Sequence, residues 1–409
     1  MRKVKVGVIG RGCRGSGLMD TMRLTDMYEF VIICDKYQDR VEAGQAWVQE
    51  KMGYTPLGTT DYHEVLANKD VEAVLVSCDW EMHLPIAIDA IKANKAIALE
   101  VGGAYTLQEC FDVVEAWEEN PVPFMFLENC CYNKDELLAL AMARKGEFGR
   151  IVYCSGSYAH DLRGEVTCGK ENRHYRLRNY LERNCENYPT HELGPIAKIL
   201  DINRGNRMVS LVSMASGSFG MEAYVEKKRS EGKYVNDELI GTDFAQGDIV
   251  NTIITCENGE QILLRLDTSL PRSYSREFTV RGTKGLYEQA YNATYFDGEK
   301  EYWEPADYAK NNINNAERHK ELLPDFWRNI TKEQIDAGHG GMDFFELVDF
   351  ATRLVEGRAM PIDVYDCAAW MAITPLTEAS IKAGGAPQAI PDFTNGAYKT
   401  RPRFDVTDN

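Results

Sequence analysis

The chain has 409 residues, 44% hydrophobic and 27% charged, with a formal net charge of -17. At roughly 100–200 residues per domain, that length allows two or three domains and a large core. The acidic balance excludes a nucleic-acid surface, which needs a basic footprint.

The N-terminus, MRKVKVGVIGRG, carries no apolar core of a signal peptide, so neither a leader nor a membrane span is expected. Val4–Ile9 reads as a strand. After it, Gly10-Arg11-Gly12-Cys13-Arg14-Gly15 is a GxGxxG loop that opens a helix running through Leu24. Gly10 permits the tight turn, Gly12 lets a pyrophosphate approach the backbone, and Gly15 lets helix and strand pack closely. The helix N-terminus offers unpaired N–H groups to phosphate. Arg11, Cys13 and Arg14 complete the cofactor-binding loop. A second strand, Phe30–Cys34, ends at Asp35, 20 residues after Gly15. A carboxylate there takes ribose hydroxyls and favours NAD over NADP; Lys36 and Arg40 soften that preference.

The alternation continues with strands at Ala73–Ser77, Ala96–Leu99 and Phe124–Leu127, and helices at Leu84–Ala93 and Leu107–Trp117. Strands alternating with helices imply a parallel sheet, and ligands on such sheets lie beyond the carboxyl ends of the strands. Those ends bring Trp80, His83, Glu100 and Asn129 to the cofactor, with Glu128 beside them. Each has a plainer reading: core packing for Trp80, a structural role for His83, helix capping for the two carboxylates.

Beyond residue 150 the pattern changes. Ile151–Tyr158 alternates like a strand, and 161–187 is polar and rich in Arg and Asn, a long loop with room for a helical turn. A helix at Pro195–Leu200 follows the stretch YPTHELGP. Strand-like runs then come at Met208–Met214, Ile249–Cys256, Gln261–Asp267, Glu277–Val280 and Leu286–Gln289. The turns ENGE at 257–260 and GTKG at 282–285 make hairpins. Helices are expected near 321–329, 342–356 and 366–382. The fold class is therefore α/β: an N-terminal Rossmann doubly wound parallel sheet, residues 1–127, plus a C-terminal α+β domain, residues 128–409, with an open, mostly antiparallel sheet for substrate and oligomerisation. No CxxC pair with zinc spacing occurs among the eleven cysteines. They read as the reduced thiols of a cytoplasmic protein, with no metal.

This order of parts resembles the Gfo/Idh/MocA oxidoreductases. The strand-end motif of that family is commonly Glu-Lys-Pro, and its lysine helps take a proton from a sugar hydroxyl. Here the stretch is Glu100-Val101-Gly102. The departure fits a narrower branch. LENCCY at 127–132, SYAHDLR at 157–163, YPTHELGP at 188–195, DINRGNR at 201–207, PRSYSR at 271–276, GHGGMDFFE at 338–346 and PDFTNG at 391–396 together resemble glycoside hydrolase family 109. That group includes α-N-acetylgalactosaminidases using bound NAD. The chain differs from it at Gly102, at Glu192 and in the expanded loop 161–187.

The resemblance implies a sugar site made from Glu128, Tyr188 and Tyr274, with Tyr158 and His191 as the catalytic pair. Ordinary packing or capping is the alternative for each. It also implies a recycled, tightly bound NAD that takes a hydride from sugar C3 and returns it after elimination across C2 and C1. A basic tyrosine then needs a neighbouring cation, for which Arg163, Arg173, Arg176 and Arg178 are candidates. The expected partners are a small carbohydrate or glycoside and further copies of the chain, as a dimer or tetramer, with no nucleic acid and no membrane. Two other readings stay open: a sugar or glycoside 3-dehydrogenase, and a non-catalytic nucleotide-binding regulator.

Overall fold

The structure is a computed structural model that describes residues 2–169, 173, 175–233 and 237–408. It divides into two compact units: Met1–Asn133 with Asp325–Ala368 and Phe404–Asn409, and Lys134–Pro324 with Ala369–Arg403.

In the first unit, β1 (Val4–Ile9), β2 (Tyr28–Cys34), β3 (Leu57–Thr59), β4 (Ala73–Val76), β5 (Ala96–Glu100) and β6 (Phe124–Leu127) form one sheet in the order β3-β2-β1-β4-β5-β6. Every pairing is parallel. Helices cover both faces, so β4, β5 and β6 are buried at every position and read as continuous apolar runs. Strand order reverses between β1 and β4, which sets the ligand crevice at their carboxyl ends. A capping box of Thr106 and Glu109 starts the helix Leu107–Glu119.

A cut at residue 127 leaves the helix Met342–Glu356 with the second domain, whereas its packing puts it in the first unit. Its buried face, including Phe345, Leu347 and Phe350, lies against the helix Cys13–Thr25. Ile362 extends the attachment by accepting a 2.9 Å hydrogen bond from the Phe126 N–H.

The second unit holds β7 (Ile151–Ala159), β8 (Met208–Ala215), β9 (Ile249–Cys256), β10 (Gln261–Asp267), β11 (Thr279–Gly282), β12 (Gly285–Glu288), β13 (Ala293–Phe296) and β14 (Gln388–Ala389). Their order is β13-β12-β11-β7-β10-β9-β8-β14. Neighbours are antiparallel except β7 and β10, which run parallel with Tyr158 opposite Leu266. Alternation in β9 turns Val250, Thr252, Ile254 and Cys256 inward. The helix Thr190–Ile199 packs on β7. Gly156 makes that approach possible: a Cβ there would sit 2.6 Å from the Glu192 Cβ.

The loop expected at 161–187 contains two short helices, Arg163–Thr167 and Arg176–Glu182; residues 170–172 and 174 lie outside the described set. Helices at Lys134–Arg144 and Gly220–Ser230 and the strand β13 carried too weak a periodic signal to be read. All eleven cysteines are free thiols. Among the described residues, no helix is long and apolar enough to cross a membrane.

Candidate active site

The glycine loop follows directly from β1. Gly10 has φ +95° and a Cβ on it would meet the Cys78 backbone at 2.6 Å, so only glycine turns the chain there. A Cβ on Gly15 would come within 2.1 Å of the Gly10 carbonyl. Above Gly12 the nearest atom to such a Cβ is Arg40 Nη1 at 3.7 Å. The space over Gly12 is the cradle that a pyrophosphate fills at a helix N-terminus, so the residues fit the group. Gly12 caps the helix without a side chain, and Cys13, the first helical residue, is exposed.

Asp35, buried at the end of β2, accepts from the Arg11 N–H at 2.8 Å and the Tyr37 N–H at 3.1 Å. Arg40 Nη1 lies 3.7 Å from it. On the other half of the sheet, the Trp80 indole occupies the place of a Gly102 side chain: a Cβ there would be 2.5 Å from Trp80 Cδ1. His83 is buried, with Nε2 3.2 Å from the Cys78 carbonyl, and burial pushes its pKa down to about 4, so the ring is neutral. Glu128 is fully buried and its carboxylate accepts from the Cys130 N–H at 3.0 Å, capping the turn Asn129–Tyr132.

Arg14 does not end in solvent. Its guanidinium reaches Glu100 at 2.8 Å and Asp343 at 2.6 Å. Asp343 also takes the Asn129 amide at 2.7 Å and touches His339 Nδ1 at 2.8 Å. Burial works to raise the Asp343 carboxyl, but Arg14 and His339 outweigh it and hold it far below the usual carboxylate range. Glu346, one turn further along the same helix, is wholly buried and neither carboxyl oxygen has a hydrogen-bond partner. Burial, then the charges of Asp343 and Glu100, push its carboxyl well above the carboxylate range.

In the second unit the sugar-site candidates converge. Tyr158 ends β7, Tyr188 precedes the helix Thr190–Ile199, and His191 sits in its first turn. Ring centroids are 4.6 Å apart for Tyr158 and Tyr188, 5.6 Å for Tyr158 and His191, and 4.8 Å for Tyr188 and His191. Tyr188 Oη is 3.4 Å from His191 Nε2. His160, two residues after Tyr158, makes a matching contact: its Nδ1 is 3.3 Å from Tyr158 Oη. Arg176 lies over these rings, 4.9 Å from the Tyr188 centroid and 5.9 Å from that of Tyr158. Arg163 instead pairs with Asp161 and lies over Tyr224, while Arg173 and Arg178 are exposed.

Burial raises the Tyr158 phenol, and the Arg176 charge opposes that rise. Burial, and after it the Arg176 charge, lower the His160 pKa. Tyr274, 47% exposed, stands edge-on to His160 with centroids 5.2 Å apart. Its hydroxyl accepts from Arg276 at 3.2 Å, and Arg276 is anchored by buried Glu136 at 2.6 Å. His160 follows the last residue of β7, Ala159, so strand alternation does not disclose it. Glu136 has no sequence signal, since it reaches Arg276 from an unread helix.

Two family models match the chain. The oxidoreductase family with an NAD-binding Rossmann fold covers residues 4–127, and the glycosyl hydrolase 109 C-terminal domain covers residues 132–400. A glycosyl hydrolase family 109 protein of Stenotrophomonas maltophilia is 36% identical over 98% of this chain and 91% of its own length. The chain belongs to glycosyl hydrolase family 109. An α-N-acetylgalactosaminidase of Tannerella forsythia is 34% identical to this family 109 chain, over 97% of it and 87% of the relative. Levoglucosan dehydrogenase, solved with NADH and L-sorbose, shares the fold at TM-score 0.69 and 18% identity, over 96% of this chain and 100% of that one. The family 109 chain is thus an enzyme that joins an NAD-binding Rossmann unit to a glycosidase unit.

Proposed function

We propose that this family 109 enzyme hydrolyses an α-N-acetylgalactosaminide or a close relative of it, without net oxidation. The observation that carries the reading is the pair of Tyr–His contacts, Tyr158 with His160 and Tyr188 with His191, gathered around Arg176. A bound NAD supplies a temporary store for the hydride of sugar C3. The chain's own residues then have two protons to handle, one on O3 and one on C2, and the two Tyr–His pairs meet that need.

Arg176 opposes the rise that burial imposes on the Tyr158 phenol, and His160, 3.3 Å from its hydroxyl, is placed to exchange a proton with it. His191, backed by Tyr188, serves the other site. With a carbonyl at C3 the C2–H becomes acidic, its removal expels the aglycone from C1, and water adds at C1. Tyr274 and Glu128 bind the sugar. The glycine cradle and Asp35 support an NAD that stays bound through turnover. Eleven free thiols fit the cytoplasm. Met214, 58% exposed, and Ile253, 38% exposed, support pairing of copies through the sheet, which light scattering tests.

The deciding experiment supplies nitrophenyl α-N-acetylgalactosaminide and no added nucleotide, in deuterated water. Aglycone release with no NADH accumulating and deuterium at C2 supports the proposal. Accumulating NADH with intact glycoside replaces it by a 3-dehydrogenase.

A further inference from the structure

The charge network on the first unit has no counterpart in the sugar chemistry above. Arg14 belongs to the glycine loop, Glu100 to the end of β5, Asn129 to the turn after β6, and Asp343 and His339 to a segment more than 300 residues beyond the loop. Arg14, Asn129 and His339 meet at the Asp343 carboxylate, with both of its oxygens engaged, and Glu100 joins through Arg14. The chain bends sharply to bring them there. Residues 338–341 all have positive φ, including the non-glycine His339 at +42°, a backbone that persists only where its surroundings hold it.

Sheet topology says which half of the cofactor this network serves. Asp35, at the end of β2, lies on the adenosine side of the switch point. Glu100 and Asn129, at the ends of β5 and β6, lie on the nicotinamide side. The oxidised nicotinamide ring is a cation and the reduced ring is neutral. Glu100 and Asp343 carry two negative charges against the single positive charge of Arg14, with which both are paired.

Resting on the NAD reading above, we propose that Asp343 and Arg14 are positioning residues for the nicotinamide end of the cofactor, and that the negative excess they hold at Glu100 sets the preference between NAD⁺ and NADH. Asp343 acts through Arg14. It keeps the guanidinium on Glu100 and away from the pyrophosphate cradle, and it leaves the strand ends with a surplus negative charge facing the ring that must give and take a hydride.

The test is equilibrium binding of NAD⁺ and of NADH to the full chain stripped of nucleotide, by calorimetry. Asp343→Asn removes a negative charge and is expected to weaken NAD⁺ more than NADH, moving the affinity ratio by about tenfold toward NADH. Arg14→Met removes the positive charge and is expected to move the same ratio about tenfold the other way, even where both affinities fall. Arg14→Lys keeps the charge and is expected to leave the ratio unchanged. Opposite signs cannot arise from general loosening of the unit. The proposal is overturned if both charge-changing variants move the ratio in one direction, or if neither moves it. Should either of these variants fail to fold, the other and Arg14→Lys still fix the sign. A wild-type chain that binds neither nucleotide overturns the NAD reading itself, a separate result.

Discussion

The two functional clusters of this enzyme are built in opposite ways. The cofactor loop is a continuous stretch of backbone, and what it requires is the absence of side chains at Gly10, Gly12 and Gly15. The aromatic cluster is assembled from side chains on β7, on the helix Arg176–Glu182, on the segment at Tyr188–His191 and on the loop carrying Tyr274. The first is a property of local conformation, the second of tertiary packing. Each therefore fails in its own way, and that difference gives the experiments.

The largest effect is expected at Gly15. Gly15→Val puts a branched side chain where even a Cβ lies 2.1 Å from the Gly10 carbonyl. Nucleotide co-purifying with the protein, measured by chromatography after denaturation, is expected to fall to background. Tyr158→Phe tests the other cluster. Hydrolysis is expected to drop by ~10²–10⁴-fold with retained nucleotide unchanged; loss of both together would erase the distinction between the clusters. Glu136→Ala leaves Arg276 buried without its carboxylate, and the denaturant midpoint at pH 7 is expected to report a loss of about 3–5 kcal/mol.

The last effect, which vanishes at acid pH, concerns Glu186, fully buried and two residues ahead of Tyr188. Burial raises its pKa from 4.5 to about 8. The unfolded chain releases this proton near pH 4.5 while the folded chain keeps it, so stability is full below that pH and declines as pH rises toward about 8. Glu186→Gln is expected to remove the decline, gaining on wild type by up to ~1.4 kcal/mol per pH unit across that window. Melting curves at pH 5 and pH 8 check it.

Much of the first unit was readable because its signals are short. Val4–Ile9, the glycine loop and Asp35 lie within 35 residues, and each glycine has a steric reason confined to its own turn. The identity of Gly102 had no readable cause, since the Trp80 indole that excludes a side chain comes from another strand end. Asp343, in a glycine-rich turn entering a helix, reads equally as packing, capping or ligand contact, because its partners Arg14 and Asn129 lie on other segments. In the second unit the sequence offers Tyr158, Tyr188 and His191 as candidates but not the His160 partnership, because SYAHDLR does not disclose where β7 ends. The polar composition of 161–187 concealed the helix that delivers Arg176, whose charge lies in the aromatic cluster rather than in water.

The return of residues 325–368 to the first unit has a consequence for synthesis. Asp343 leaves the ribosome long after the glycine loop it secures. A chain interrupted anywhere before that point carries a complete GxGxxG sequence but lacks the carboxylate that fixes Arg14, so the loop's arginine is held in place only after the late segment has folded back.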